Sequence, residues 1–177
     1  MPSDPWLFGT RNEAERAADP ERRKREGAYY TPRWLAETLV ERALGPLVAG
    51  RSTADLRKLR ILDPAVGGGI FLLAAIDFLF AAGLDRRSAS ACCHGIDRDP
   101  AAIEAAAQAL LLHAGPPGSL RVADSLLEQP KPIYDAVVGN PPWEKIAKSD
   151  PRRPYFDQAF AEVRQGEINL HALFMVL

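Results

Sequence analysis

The sequence predicts an α/β fold, a mostly parallel sheet with flanking helices. Two observations carry that expectation. Short apolar segments at 59–62, 91–96, 120–123 and 136–138 alternate with longer amphipathic or alanine-rich segments, as β-α-β units do. The first three segments are followed at once by an acid, Asp63, Asp97 and Asp124, and the fourth, after Gly139, by the amide Asn140. In an open α/β sheet that carboxyl edge is where ligands bind.

Composition sets the limits. With 177 residues, 47% hydrophobic and 25% charged, the chain is long enough for one globular domain with a real core. A net charge of −1 gives no global pull toward nucleic acid, so contact with phosphates needs a local patch or another domain. Cys92 and Cys93 are adjacent, which rules out an ordinary disulfide between them, and they read as buried thiols in a reducing compartment. No leader pattern and no membrane-length apolar run is visible, and a cytoplasmic location is expected.

Residues 1–26 read as a charged arm ending in Glu21-Arg22-Arg23-Lys24-Arg25-Glu26, either a solvated helix face or a basic contact to a nucleic-acid backbone. Gly27-Ala28-Tyr29-Tyr30-Thr31-Pro32 leads into a helix whose apolar stripe is expected at Leu35, Leu39, Val40, Ala43 and Leu44. Thr31 is placed to be its N-cap, with Pro32 in the first turn; the same helix end could instead hold a carboxylate. Gly50 to Lys58 reads as a linker.

The strand at 59–62 runs into Asp63-Pro64-Ala65-Val66-Gly67-Gly68-Gly69 and an apolar helix over 70–82. Strand, glycine loop and helix together let a ligand approach the backbone closely. The loop lacks the G-x-G-x-x-G spacing of dinucleotide sites and the Lys-Ser/Thr pair of a P-loop. A nucleoside with an uncharged or zwitterionic tail is therefore favoured over a dinucleotide or triphosphate, and Asp63 could accept from an ammonium group on that tail. Asp97, at the end of the second strand, is placed to accept both ribose hydroxyls, while Asp99 reads as the N-cap before Pro100. Asp124 puts a third carboxylate on the same rim. A metal triad is the competing reading of these acids; no histidine accompanies them, the glycine loop explains them better, and no metal is expected.

Tyr134 to Trp143, Y-D-A-V-V-G-N-P-P-W, reads as a buried strand that delivers Asn140, Pro141, Pro142 and Trp143 at its carboxyl end. The prolines stiffen the loop and leave carbonyls free. An Asn oxygen beside a proline-fixed carbonyl is a paired acceptor, and Trp143 adds a flat apolar face. Together they suit a planar heterocycle bearing an amino group; an ordinary Asn-Pro turn is the plain alternative. Glu144 to Arg153 reads as a mobile polar loop whose Lys145, Lys148, Arg152 and Arg153 either meet phosphates or are simply solvated. An amphipathic helix is expected over 155–164, and an uncapped apolar one from Ile168.

Taken in order, these segments resemble the amino-terminal part of the catalytic domain of N6-adenine DNA methyltransferases of the type I and type IIG restriction–modification class. The resemblance rests on Gly27 to Pro32, Asp63 to Leu72, Asp97, Asp124, Asn140 to Trp143 and Asn169 to Phe174. It implies a Rossmann-like S-adenosylmethionine-dependent methyltransferase fold and a cofactor site drawn from Thr31, Asp63, Ala65, Gly67, Gly69, Phe71, Asp97 and Asp124. It also implies catalysis by Asn140, Pro141, Pro142 and Trp143 on an adenine flipped out of DNA, without a metal. Val66 and Gly68 depart from the family's frequent Cys and Ser, a difference of packing more than chemistry. The same resemblance implies that 27–177 is a partial domain, apparently truncated after its fourth strand, for which a second chain could supply the remaining strands and target recognition. Cytosine-N4 or protein-glutamine methylation, or a non-catalytic methylase half, are the alternatives that the tetrapeptide leaves open.

Overall fold

The computed structural model describes residues 31–128, 134–161 and 169–175; the arm, the Gly27–Tyr30 segment and the stretch around Gly166 lie outside them. Four strands, β1 (Ile61–Asp63), β2 (Cys93–Asp97), β3 (Ser119–Val122) and β4 (Ala136–Val137), form one sheet in the order β3-β2-β1-β4. Every pairing is parallel, with Ile61 opposite Cys93 on one side and Ala136 on the other. The helices are α1 (Arg33–Val48), α2 (Thr53–Leu56), α3 (Ile70–Ala81), α4 (Arg86–Ala91), α5 (Pro100–Ala114), α6 (Arg153–Ala159) and α7 (Leu170–Phe174).

β1 is buried along its whole length, which is why Ile61-Leu62 reads as a continuous apolar run rather than an alternating one. The apolar α3 packs between the sheet and α1, and its Phe71, Leu72, Ala75, Ile76 and Leu79 lie in the main core with Leu44, Ile61, Cys93 and Leu110. The seam from α1 is Ala36, Val40 and Leu44, at i, i+4 and i+8. The expected stripe is thus rotated: Leu39 is 43% exposed and Ala43 also faces outward, while Ala36 joins Val40 and Leu44 in the core shared with α3.

The segment expected as a linker contains α2, capped by Ser52, whose hydroxyl oxygen accepts from the Asp55 amide at 3.2 Å. α4 is capped in the same way by Asp85, accepting from the Ser88 amide at 2.9 Å. Asp99 caps α5 as anticipated, accepting from the Ala101 amide at 2.9 Å with Pro100 in the first turn. Cys92 ends α4 and only Cys93 belongs to β2; both thiols are free and buried, and burial pushes Cys92 up to about 11. Among the described residues no helix is long and apolar enough to cross a membrane.

A second cluster, Leu126, Ile146, Phe156, Phe160, Leu170 and Leu173, gathers the chain after β4 against the residues following β3. It anchors Ile146, inside the Glu144–Arg153 segment that was expected to be a mobile loop, together with α6, which falls where an amphipathic helix was expected.

The glycine loop generates a stability prediction. Gly69 sits at φ +86° as the residue before α3, whereas Gly68 has ordinary backbone angles and open space where a Cβ would be. Gly69→Ala is expected to lower unfolding stability by about 1–2 kcal/mol, the cost of a left-handed non-glycine residue, and Gly68→Ser by less than about 0.5 kcal/mol. Urea denaturation of the two variants checks the contrast, and equal losses would refute it.

Candidate functional site

The strand order locates the site. From β1 the chain steps outward through β2 to β3, then returns to the other side of β1 for β4. The connections leaving β1 and β4 therefore diverge, and a crevice opens above their carboxyl ends, the topological switch point of an open α/β sheet. The two loops bordering it are 64–69, after β1, and 138–143, after β4.

The first loop is held by three bonds to two neighbouring segments, the end of β2 and the residues after β3. The Val66 amide donates to the Ile96 carbonyl at 2.9 Å and the Gly67 amide donates to Asp97 Oδ2, also at 2.9 Å. The buried Ser125 hydroxyl donates to the Pro64 carbonyl at 2.7 Å. Gly67 takes φ +52°. Asp97 Oδ1 meanwhile accepts from the Asp99 amide at 2.9 Å, so this carboxylate braces the glycine loop and the start of α5 while keeping lone pairs for a ligand. Phe71 lies in the main core.

Asp63 lies between the two loops. It is 1% exposed; its Oδ1 accepts from the Ala65 amide at 3.1 Å, and a Cβ added to Gly139 would stand 2.7 Å from that oxygen. Burial pushes its pKa up to about 7, opposed by the Ala65 bond and reinforced by the nearby charge of Asp97. A glycine is needed at 139 for the second loop to cross the carboxyl.

Thr31 does not cap α1. Pro32 occupies the N-cap position and makes no side-chain cap, while the Thr31 hydroxyl, only 6% exposed, accepts from Asn140 Nδ2 at 3.1 Å. The short polar side chain is thus used across 109 residues of sequence, which local spacing cannot reveal. Asn140 Oδ1 accepts from the Trp143 indole N–H at 3.0 Å. An indole nitrogen can only donate, so this bond orients the amide, with its oxygen toward Trp143 and its nitrogen toward Thr31. Trp143 is 60% exposed, and one of its faces stacks on His171 at 4.7 Å between centroids and 21° between planes.

Asp124 is engaged as well. Its Oδ1 accepts from the Leu126 amide at 3.1 Å, and its Oδ2 takes Arg152 Nη1 at 3.0 Å. Arg152 also forks onto Asp150, with contacts of 2.8 and 3.1 Å, and its guanidinium lies 5.5 Å from the centre of the Phe156 ring. Asp150 and Asp124 together hold Arg152 firmly charged, and Arg152 in turn pulls Asp150 below the usual carboxylate range. Arg153 pairs with Asp157 at 3.1 Å. Two of the four basic side chains read as either phosphate contacts or solvated groups, Arg152 and Arg153, are therefore paired within the chain.

Ala65, Gly67, Gly69, Asp63 and Asp97 come together at the first loop, and Thr31 joins Asn140 at the second. Pro141 and Pro142 follow at half-buried positions. Sequence reasoning missed Gly139, Ser125, Arg152 as a partner of Asp124, and His171. Only Gly139 carried a local signal, a glycine between a strand and the Asn-Pro-Pro turn. Among the described residues no group of His, Cys, Asp or Glu is arranged to hold a metal ion.

With this geometry in view, comparisons with known proteins are informative. The profile of the family described as N-6 DNA methylase matches residues 16–175. A type I restriction enzyme MjaIX methylase subunit from Methanocaldococcus jannaschii is 31% identical over 135 residues, 71% of this chain and 22% of that protein. The adenine-specific methyltransferase PglX of Streptomyces coelicolor is 27% identical over 125 residues, 65% of this chain and 10% of that protein. The chain thus spans about a fifth and a tenth of these relatives' lengths. Among solved structures, a Listeria monocytogenes protein described as a class I S-adenosylmethionine-dependent methyltransferase superposes with a TM-score of 0.57 at 20% identity, covering 85% of this chain and 42% of that one. The DrdV–DNA complex gives 0.58 at 18% identity, covering 90% and 20%. The first of these likenesses establishes the class I methyltransferase fold.

The buried carboxyl generates the prediction here. An acid whose folded pKa exceeds its unfolded value supports folding only while protonated, so stability falls as pH rises from the usual carboxylate range through about 7 and is then level. Asp63→Asn, neutral throughout, is expected to unfold at nearly the wild-type urea concentration at pH 4.5 and to be more stable at pH 8, by on the order of 3 kcal/mol. An equal difference at both pH values would show that Asp63 does not titrate in this way.

Proposed function

The chain belongs to the N-6 DNA methylase family, and we propose that it carries the cofactor-binding and catalytic part of an S-adenosylmethionine-dependent enzyme that methylates the N6 amino group of adenine in DNA, within a restriction–modification or phage-defence system. One observation carries the reading: the glycine loop and the Asn-Pro-Pro-Trp loop leave adjacent paired strands and meet across Asp63 and Gly139 at the switch point. A cofactor on the first loop and an amino group on the second are thereby brought side by side.

The residues suit S-adenosylmethionine. The side-chain-free backbone of Gly67 and Gly69 offers close approach, Asp97 offers acceptors for ribose hydroxyls, and Asp124 offers one for the adenine amino group. Ala65 and Thr31 complete the set around the loop and the start of α1, while Phe71, expected in the same set, is buried in the main core and supports the loop from beneath. Asp63, buried beside both loops, contributes negative charge once ionised, which favours a cationic ligand. When bound, the cofactor supplies a methyl group activated by its sulfonium. Asn140 Oδ1 and the Pro141 carbonyl accept the two N–H bonds of the target amino group, which localises the nitrogen lone pair and steadies the positive charge that develops on it. Thr31 holds the Asn140 amide in the required orientation. Trp143 stacks on the flipped adenine, and its indole N–H gives up or shares Asn140 Oδ1 as the base arrives. DNA is the partner in this reading, with recognition supplied by further sequence or a second chain.

Two outcomes check the assignment. Asp97→Ala is expected to weaken S-adenosylmethionine binding in calorimetry by about 1–3 kcal/mol, through loss of hydrogen bonds to a charged acceptor; unchanged affinity in a folded variant would remove Asp97 from the site. In the full-length protein that carries this chain, Asn140→Ala is expected to cut adenine methylation at least about 10²-fold with cofactor affinity nearly intact, as befits a group acting on the transition state. Full turnover by that variant would end the assignment.

A further inference from the structure

We propose that His171 is a positioning residue for the target base, a backing plate that fixes the plane of Trp143 so that its exposed face receives the adenine. The inference rests on the reading of Trp143 given above and extends it to a residue that touches neither cofactor nor base.

The two rings are stacked at 4.7 Å and 21°, and Trp143 remains 60% exposed, so one face is covered and the other is open. The backbone holds both rings in place. Lys145, two residues after Trp143, forms an antiparallel bridge with Asn169, two residues before His171, and the Leu170 amide donates to the Glu144 carbonyl at 2.8 Å. Leu170 and Leu173, flanking His171 on α7, are buried with Ile146 and Phe156. The catalytic loop and α7 thus move as one piece, and the stack is a product of chain geometry rather than of two loose side chains.

An indole anchored only by its N–H bond to Asn140 Oδ1 would lose that anchor when the target amino group claims the oxygen. His171 supplies the second restraint, which persists after the exchange. The imidazole acts through its face: its Nδ1 is enclosed and, among the described residues, has no hydrogen-bond partner. A flat hydrocarbon ring should therefore replace it, whereas a methyl group should not.

The test uses fluorescence and catalysis together. With Trp6 and Trp34 changed to Phe, Trp143 is the single emitter, and time-resolved anisotropy reports its local motion. His171→Ala is expected to add a fast depolarisation that the parent and His171→Phe lack. In the full-length protein His171→Ala is expected to lower kcat/KM for DNA about threefold to tenfold, the range of an aromatic pair, with S-adenosylmethionine affinity unchanged and His171→Phe restoring the rate. An immobile indole in His171→Ala, equal mobility in both variants, or unchanged kcat/KM in His171→Ala would each overturn the proposal. If the wild-type protein methylates no adenine, the function proposed above falls, while the anisotropy still decides whether His171 holds Trp143.

Discussion

The architecture depends on how closely β4 passes β1. The Val138 amide donates to the Leu62 carbonyl at 2.8 Å, extending the pairing beyond β4 itself, and the chain then crosses Asp63 through a residue that has no side chain. A Cβ at position 139 would collide with the carboxyl at 2.7 Å, so the approach exists only because Gly139 is a glycine. From this contact follow the burial of Asp63, its raised pKa, the nearness of the two functional loops and the reach of Asn140 to Thr31 at the start of α1. A looser crossing would leave a parallel sheet with two unrelated loops on its edge.

Much of the fold was legible because its signals are local. The four strands lie within two residues of the apolar runs that announced them, and Asp99-Pro100 marked the start of α5 through cap chemistry that needs only adjacent residues. The helices at α2 and α4 carried equally local signals, Ser52 with Asp55 and Asp85 with Ser88, but they are short and have little apolar periodicity, which hides them from a reading that weights periodicity. The face of α1 was misjudged for a different reason. Which side of a helix is buried depends on its neighbour, and here the face carrying Ala36 lies in the core shared with α3 while the bulkier Leu39 is left outside.

The candidate site divides along the same line. Asp63, Asp97, Asn140 and the glycines were visible as residue types at strand ends, and their family resemblance agrees with a profile match across most of the chain. Their partners were not visible. Thr31 has the composition of a cap and the surroundings of a brace for Asn140, and Arg152 has the composition of a phosphate contact yet is spent on Asp124, 28 residues away in sequence. Polar residues announce that they will make hydrogen bonds; tertiary structure decides with whom. The second apolar cluster shows the same rule, since Ile146 lies in a run of polar residues and is nevertheless what anchors that run.

The three glycines of the first loop are not equivalent. Gly67 and Gly69 are confined by backbone angles that side chains resist, while Gly68 between them has ordinary angles and faces open space. Stereochemistry thus holds the outer pair constant and releases the middle position to drift. A side chain at the middle position would meet no neighbouring atom, so its size and polarity can change while the two outer glycines keep the shape of the loop.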